Sequence, residues 1–137
     1  MLFIYQPKDW KQCCRLLGLQ MKDVAEKINM SRRNFYHAHG VNNTELTNCI
    51  NFTKYIDEIS YEHYNEFVLP PKVKLQEPRL FKNLYRRSWY SYRDLVRQTG
   101  ISFVTIQKYM SADTYMDFQK TKLLGDRLHQ NCNKSSY

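Results

Sequence analysis

The sequence predicts a mainly α-helical protein with a small central β-sheet, in which one chain carries two helix-turn-helix units as an internally duplicated pseudo-dimer. Three observations carry that expectation. Residues 2 to 39 align without a gap on residues 73 to 110 at a constant offset of 71. Each of these segments contains the spacing of a helix-turn-helix. The length, 137 residues with 42% hydrophobic and 25% charged side chains, suits one compact globular unit made of a first repeat, 1–68, and a second, 69–137.

Each repeat opens with a short alternating segment stopped by proline, LFIYQP (2 to 7) and VKLQEP (73 to 78), as a strand edge requires. A helix follows, with Trp10, Cys13, Cys14 and Leu17 at helical spacing in the first repeat and Leu80, Phe81, Leu84 and Tyr85 in the second. Next comes the helix-turn-helix, and after it a fourth helix. Over 44 to 59 that helix places Leu46, Cys49, Ile50, Thr53 and Ile56 on one face; over 113 to 128 it offers Tyr115, Phe118, Leu124 and Leu128. The β-prone, proline-bearing stretch 61 to 78 predicts extended chain, with Tyr5, Tyr61 and Tyr64 packing on the sheet. The polar tail from Gln130 is expected to fray.

The helix-turn-helix reading rests on particular positions. In YSYRDLVRQTGISFVTIQKYM (90 to 110), Leu95, Ile101, Ile106 and Tyr109 are the expected buried residues, and Gly100 supplies the positive φ of the turn. Ser91 with Asp94 caps the first helix and Ser102 the second. In QMKDVAEKINMSRRNFYHA (20 to 38) the buried set is Val24, Ala25, Ile28, Met30 and Phe35, with Ser31 as cap. Asn29 takes the glycine's place, since asparagine tolerates the left-handed region.

The second helix of such a motif offers its solvent face to the DNA major groove. In the first repeat that face is Ser31, Arg32, Arg33, Asn34, Tyr36 and His37; in the second it is Ser102, Phe103, Thr105, Gln107 and Lys108. Arginine can pair with guanine and asparagine or glutamine with adenine, while Phe103 or Thr105 can meet a thymine methyl. The unlike faces predict unlike half-sites, roughly 34 Å apart if they lie one helical turn from each other. The formal charge of +8 lies in the second half, where residues 69–137 hold 13 basic and 5 acidic side chains against 8 and 8 before them. Arg79, Lys82, Arg86, Arg87, Arg93 and Arg97, with Lys22 in the first repeat, are the expected phosphate contacts.

Other functions find little support. The carboxylates are dispersed, and no nucleophile setting or glycine-rich phosphate loop exists among four glycines, so the chain reads as a non-enzyme without cofactor. The four cysteines lack metal spacing and read as reduced thiols, while His37 and His39 point to different helix faces, so no metal site is expected. No apolar run approaches the roughly 20 residues of a membrane span, and the start lacks a signal-peptide pattern, which predicts a cytoplasmic location.

The duplicated strand–helix units carrying QMKDVAEKINMS and SYRDLVRQTGIS, spanning residues 2 to 128, resemble the TraN-type DNA-binding proteins of Gram-positive conjugative plasmids. The resemblance implies a monomer with an internal pseudo-two-fold. It also implies sequence-specific binding to double-stranded DNA of a mobile element, at a transfer origin or promoter, with other transfer or transcription proteins as further partners. A protein-interaction adaptor and a nonspecific DNA binder are the alternatives. The segments 40 to 52 and 111 to 121 depart from a winged helix, because they read as helical rather than as a β-hairpin.

Overall fold

A computed structural model describes residues 1–62, 68–111 and 116–135, with side chains through residue 130. The protein is mainly α-helical, with a small antiparallel two-stranded sheet, β1 (Leu2–Ile4) and β2 (Val73–Leu75). Burial alternates along both strands as the sequence expects, with Ile4 and Leu75 inside and Phe3 and Lys74 outside. The chain divides into two compact units, an N-terminal one, Phe3–Val73, and a C-terminal one, Lys74–Tyr137 joined by Met1–Leu2.

In the N-terminal unit a 3-10 turn started by Pro7 leads into α1 (Trp10–Leu16), followed by α2 (Met21–Lys27), α3 (Arg32–Val41) and α4 (Leu46–Glu62). Three aromatic rings from three helices fix its core. Trp10 of α1 stacks on Phe52 of α4 at 4.5 Å between centroids, and Phe35 of α3 lies 5.1 Å from Trp10 and 6.1 Å from Phe52. Burial alone would leave the indole N–H unsatisfied, but it donates to the Tyr5 carbonyl at 3.0 Å.

Several expectations need correction here. On α4 Leu46, Cys49, Thr53 and Ile56 are buried as expected, but Phe52 joins them and Ile50 is only half-buried. The apolar face of α4 is thus rotated slightly from the predicted one, because a phenylalanine fills the gap left beside Trp10. Tyr5 packs edge-on against Phe52, and its N–H donates to Thr53 Oγ1, so it belongs to the helical core rather than to the sheet. Tyr61 is 83% exposed at the end of α4, which runs on where extended chain was expected. Met30 is half-buried. Tyr64 lies outside the described residues.

The C-terminal unit presents the same order: a 3-10 turn started by Pro78, α5 (Phe81–Arg87), α6 (Tyr92–Thr99), α7 (Phe103–Ser111) and α8 (Phe118–Ser135). Its core gathers Phe81, Leu95, Ile101, Ile106, Tyr109, Met110, Leu124 and Leu128. Phe81 stands at the place of Trp10 in the 71-residue offset, and Ile106 at that of Phe35. The close approach of α8 favours Gly125, since a Cβ there would come within 3.1 Å of Gln76 Cβ and 3.2 Å of a Phe81 ring carbon and these neighbours would have to give way. α8 starts later than residue 113 and continues to Ser135, so the backbone at Gln130 is still helical where a frayed tail was expected. Its apolar side chains reach the core through Leu124 and Leu128, which ties down the helix that carries the tail. Tyr115 lies outside the described residues.

Candidate nucleic-acid interface

Both helix-turn-helix turns close as their local chemistry dictates. In the N-terminal unit Asn29 adopts φ 59°, and Met30 N–H donates to the Ala25 carbonyl at 2.9 Å, so α2 ends and the chain reverses. Ser31 then caps α3, its Oγ accepting from Asn34 N–H at 3.1 Å. In the C-terminal unit Ser91 and Asp94 form a reciprocal capping box on α6. Gly100 at φ 72° donates to the Val96 carbonyl at 2.9 Å. The Thr99 hydroxyl braces this second turn, donating to the Leu95 carbonyl at 2.6 Å and accepting from Ile101 N–H at 3.2 Å.

Fixing the buried side of α3 fixes its outer side. Phe35 and Ala38 face the core, and Ser31, Arg32, Arg33, Asn34, Tyr36 and His37 are all exposed. At about 100° per residue, Arg33 lies about 160° around the axis from Phe35, with Tyr36 and His37 beside it, while Arg32 lies only about 60° away, on the flank. Arg33 therefore crowns the helix and Arg32 borders it. Neither has an ion-pair partner among the described residues. His37 also lines an open polar cleft of about 380 Å³ with Ser31 and Asn34, closed on its far side by Asn43, Thr44, Glu45 and Asn48. His39 is half-buried and turned away.

On α7 the buried anchors are Ile106, Tyr109 and Met110. Ser102, Phe103, Gln107 and Lys108 are exposed, and Thr105 is half-buried. The Ser102 hydroxyl caps the helix, accepting from Thr105 N–H at 3.3 Å and donating to Thr105 Oγ1 at 2.9 Å. By the same angular reckoning, about 160° from Ile106, the residues at the crown are Lys108 and Val104, the second of which sequence reading missed. Val104 is 58% exposed. Counting helical positions outward from Ile106 places it there. Phe103 sits on the flank, where its ring meets Tyr92 edge-on at 5.4 Å.

The expected phosphate contacts, Lys22, Arg79, Lys82, Arg86, Arg87, Arg93 and Arg97, are all exposed. They are not equivalent. Arg79 is ion-paired to Glu77, which also takes the N-terminal ammonium at 3.2 Å, and Arg97 holds Asp94 at 2.6 Å. Hydrogen bonds from the Ser91 backbone and hydroxyl, then from Arg97, hold the Asp94 carboxyl below its ordinary range. Lys22, Lys82, Arg86 and Arg93 have no ion-pair partner among the described residues. The buried thiols are chemically quiet, with burial pushing Cys13 and Cys49 up to about 12 and Cys14 to about 11.

Among the described residues no helix is long and apolar enough to cross a membrane. No family model matches the chain, and comparisons with curated proteins and with solved structures find no significant match.

Proposed function

We propose that the protein binds double-stranded DNA sequence-specifically, with α3 as the principal reading helix and α7 as a second, less polar one. The observation that carries this is the α3 crown: Arg33, Tyr36 and His37 exposed on a capped helix whose opposite side is locked against Trp10 and Phe52. A rigid helix with an unpaired arginine at its summit suits the major groove, where that guanidinium can take guanine bidentately. Arg32 and Asn34 on the flanks, and Lys22 on α2, suit the bordering phosphates. On α7, Val104 suits a thymine methyl and Gln107 an adenine, with Lys82, Arg86 and Arg93 at the backbone.

In this proposal the two units descend from one module, and the chain acts at a transfer-origin or promoter site of a mobile element as a cytoplasmic regulator or accessory factor. The like order of elements in the two units and the TraN resemblance support it. Selection of bound fragments from a random duplex pool, followed by salt titration of the enriched site, tests the reading. An enriched site whose preference relaxes in Arg33→Ala supports it. Retention of all duplexes alike would mean nonspecific binding, and no retention at low salt would leave the adaptor role.

A further inference from the structure

The protein has two tryptophans, and they are placed in opposite ways. Trp10 is fully buried, whereas Trp89 is 83% exposed on the turn between α5 and α6. An indole is the largest apolar side chain a protein has, and leaving one in water forgoes its burial. The turn that carries it is well held. Ser88 Oγ donates to the Tyr85 carbonyl at 2.8 Å and accepts from Tyr90 N–H, and Ser91 opens the capping box of α6.

Its surroundings are cationic and aromatic. Residues 81 to 93, FKNLYRRSWYSYR, contain four cations and no carboxylate. Lys82 and Arg86, four residues apart on one face of α5, line an open cleft of about 240 Å³ together with Tyr85, Tyr92 and Gln107. Tyr85 and Tyr92 stack at 4.8 Å with their planes 13° apart, which makes a firm aromatic wall behind the cations. Basic side chains interleaved with ring faces are what a nucleic-acid strand needs, cations for phosphates and rings for bases.

We infer that the α5–α6 segment binds an unpaired DNA strand, Trp89 stacking on one of its bases while Lys82, Arg86 and Arg93 hold its phosphates. An unpaired strand is favoured over a duplex as occupant because its base faces are open, whereas reaching a base face in a duplex requires unstacking a step. A protein partner is disfavoured by four cations over residues 81 to 93, against which stands one carboxylate, Asp94, already held by Ser91 and Arg97; this suits a polyanion. The site shares Lys82, Arg86 and Arg93 with the duplex reading of α7, but α3 and Trp89 are used by one reading each, so either can fail alone.

The test uses the full chain, an oligo-dT strand, the matching dT·dA duplex and heparin, a polyanion without bases. Acrylamide quenching reads Trp89, since the buried Trp10 contributes an emission largely shielded from the start. The strand is expected to protect Trp89, and Trp89→Ala to weaken strand binding about tenfold while Trp89→Phe keeps most of it. Thermal melting of both variants should match the parent, because the side chain supports no packing. Three results would overturn the inference: unchanged strand affinity in Trp89→Ala, equal protection by heparin, or protection that grows with protein concentration alone, which would mark a contact between copies. Protection by the duplex but not by the strand would overturn it too while leaving the duplex reading intact.

Discussion

Arg32 and Arg33 are neighbours in sequence, yet the seating of α3 gives them different work, and the difference is measurable. Arg33 stands opposite Phe35 and would enter the groove floor; Arg32 borders it and would meet the backbone. A bidentate arginine–guanine pair discriminates by about 1–3 kcal/mol, so Arg33→Ala should cost the selected site about 5- to 150-fold and leave random duplex binding nearly unchanged. Arg32→Ala should weaken both duplexes alike and lower the slope of log K against log salt by about 0.9, the contribution of one phosphate. Neither variant should move the melting temperature appreciably, since both side chains are exposed and unpaired. Fluorescence anisotropy with labelled selected and scrambled duplexes over a salt series reads all of this at once. If the two variants lose selected and scrambled binding equally, or if Arg32→Ala is the one that relaxes the preference, the assignment of crown and flank is wrong.

The remaining predictions concern the scaffold. Thr121 is fully buried on α8, and its hydroxyl lacks a hydrogen-bond partner among the described residues; Thr121→Val keeps the shape, removes the unsatisfied group and should stabilise by about 1 kcal/mol, seen as a melting temperature higher by about 4 °C. Phe52→Ala removes the ring on which Trp10 stacks and against which Phe35 and Tyr5 pack; a loss of about 3–5 kcal/mol is expected from urea denaturation, with a red shift of the Trp10 emission. Asp94 has a carboxyl held below its ordinary 3.8, so its ionised cap contributes stability that is complete above that pH and is lost as pH falls through the lowered value. The gap in melting temperature between the parent and Asp94→Asn should therefore be widest near neutrality and close in acid, and a gap independent of pH would contradict this.

The local features of this protein were legible because each is decided within a few residues. Asn29 and Gly100 mark reversals since few residues accept positive φ, and Ser31, Ser91 and Ser102 mark helix starts since their hydroxyls reach free amides nearby. The proline-stopped strands, the buried set of the second helix-turn-helix and the exposure of every reading residue but the half-buried Thr105 follow from the same short-range rules. What escaped depended on partners distant in sequence. Phe52 is central only because Trp10 and Phe35 arrive beside it, and Tyr5 joins that core through Thr53, 48 residues away. Tyr61 looked like a sheet residue but ends a helix whose length its packing decides.

Sequence alone thus determined where α3, α6 and α7 begin, where the chain turns before α3 and α7, and that cationic and polar side chains lie exposed on these helices. Tertiary structure decided which of those side chains is the summit and which the border. It set Arg33 and Val104 at the crowns, and left Trp89 in water while Trp10 went to the core. The reason is physical. Capping and turn preferences are settled by neighbours along the chain, whereas the rotation of a helix about its axis is settled by the side chains that lock its inner face, and these come from other helices.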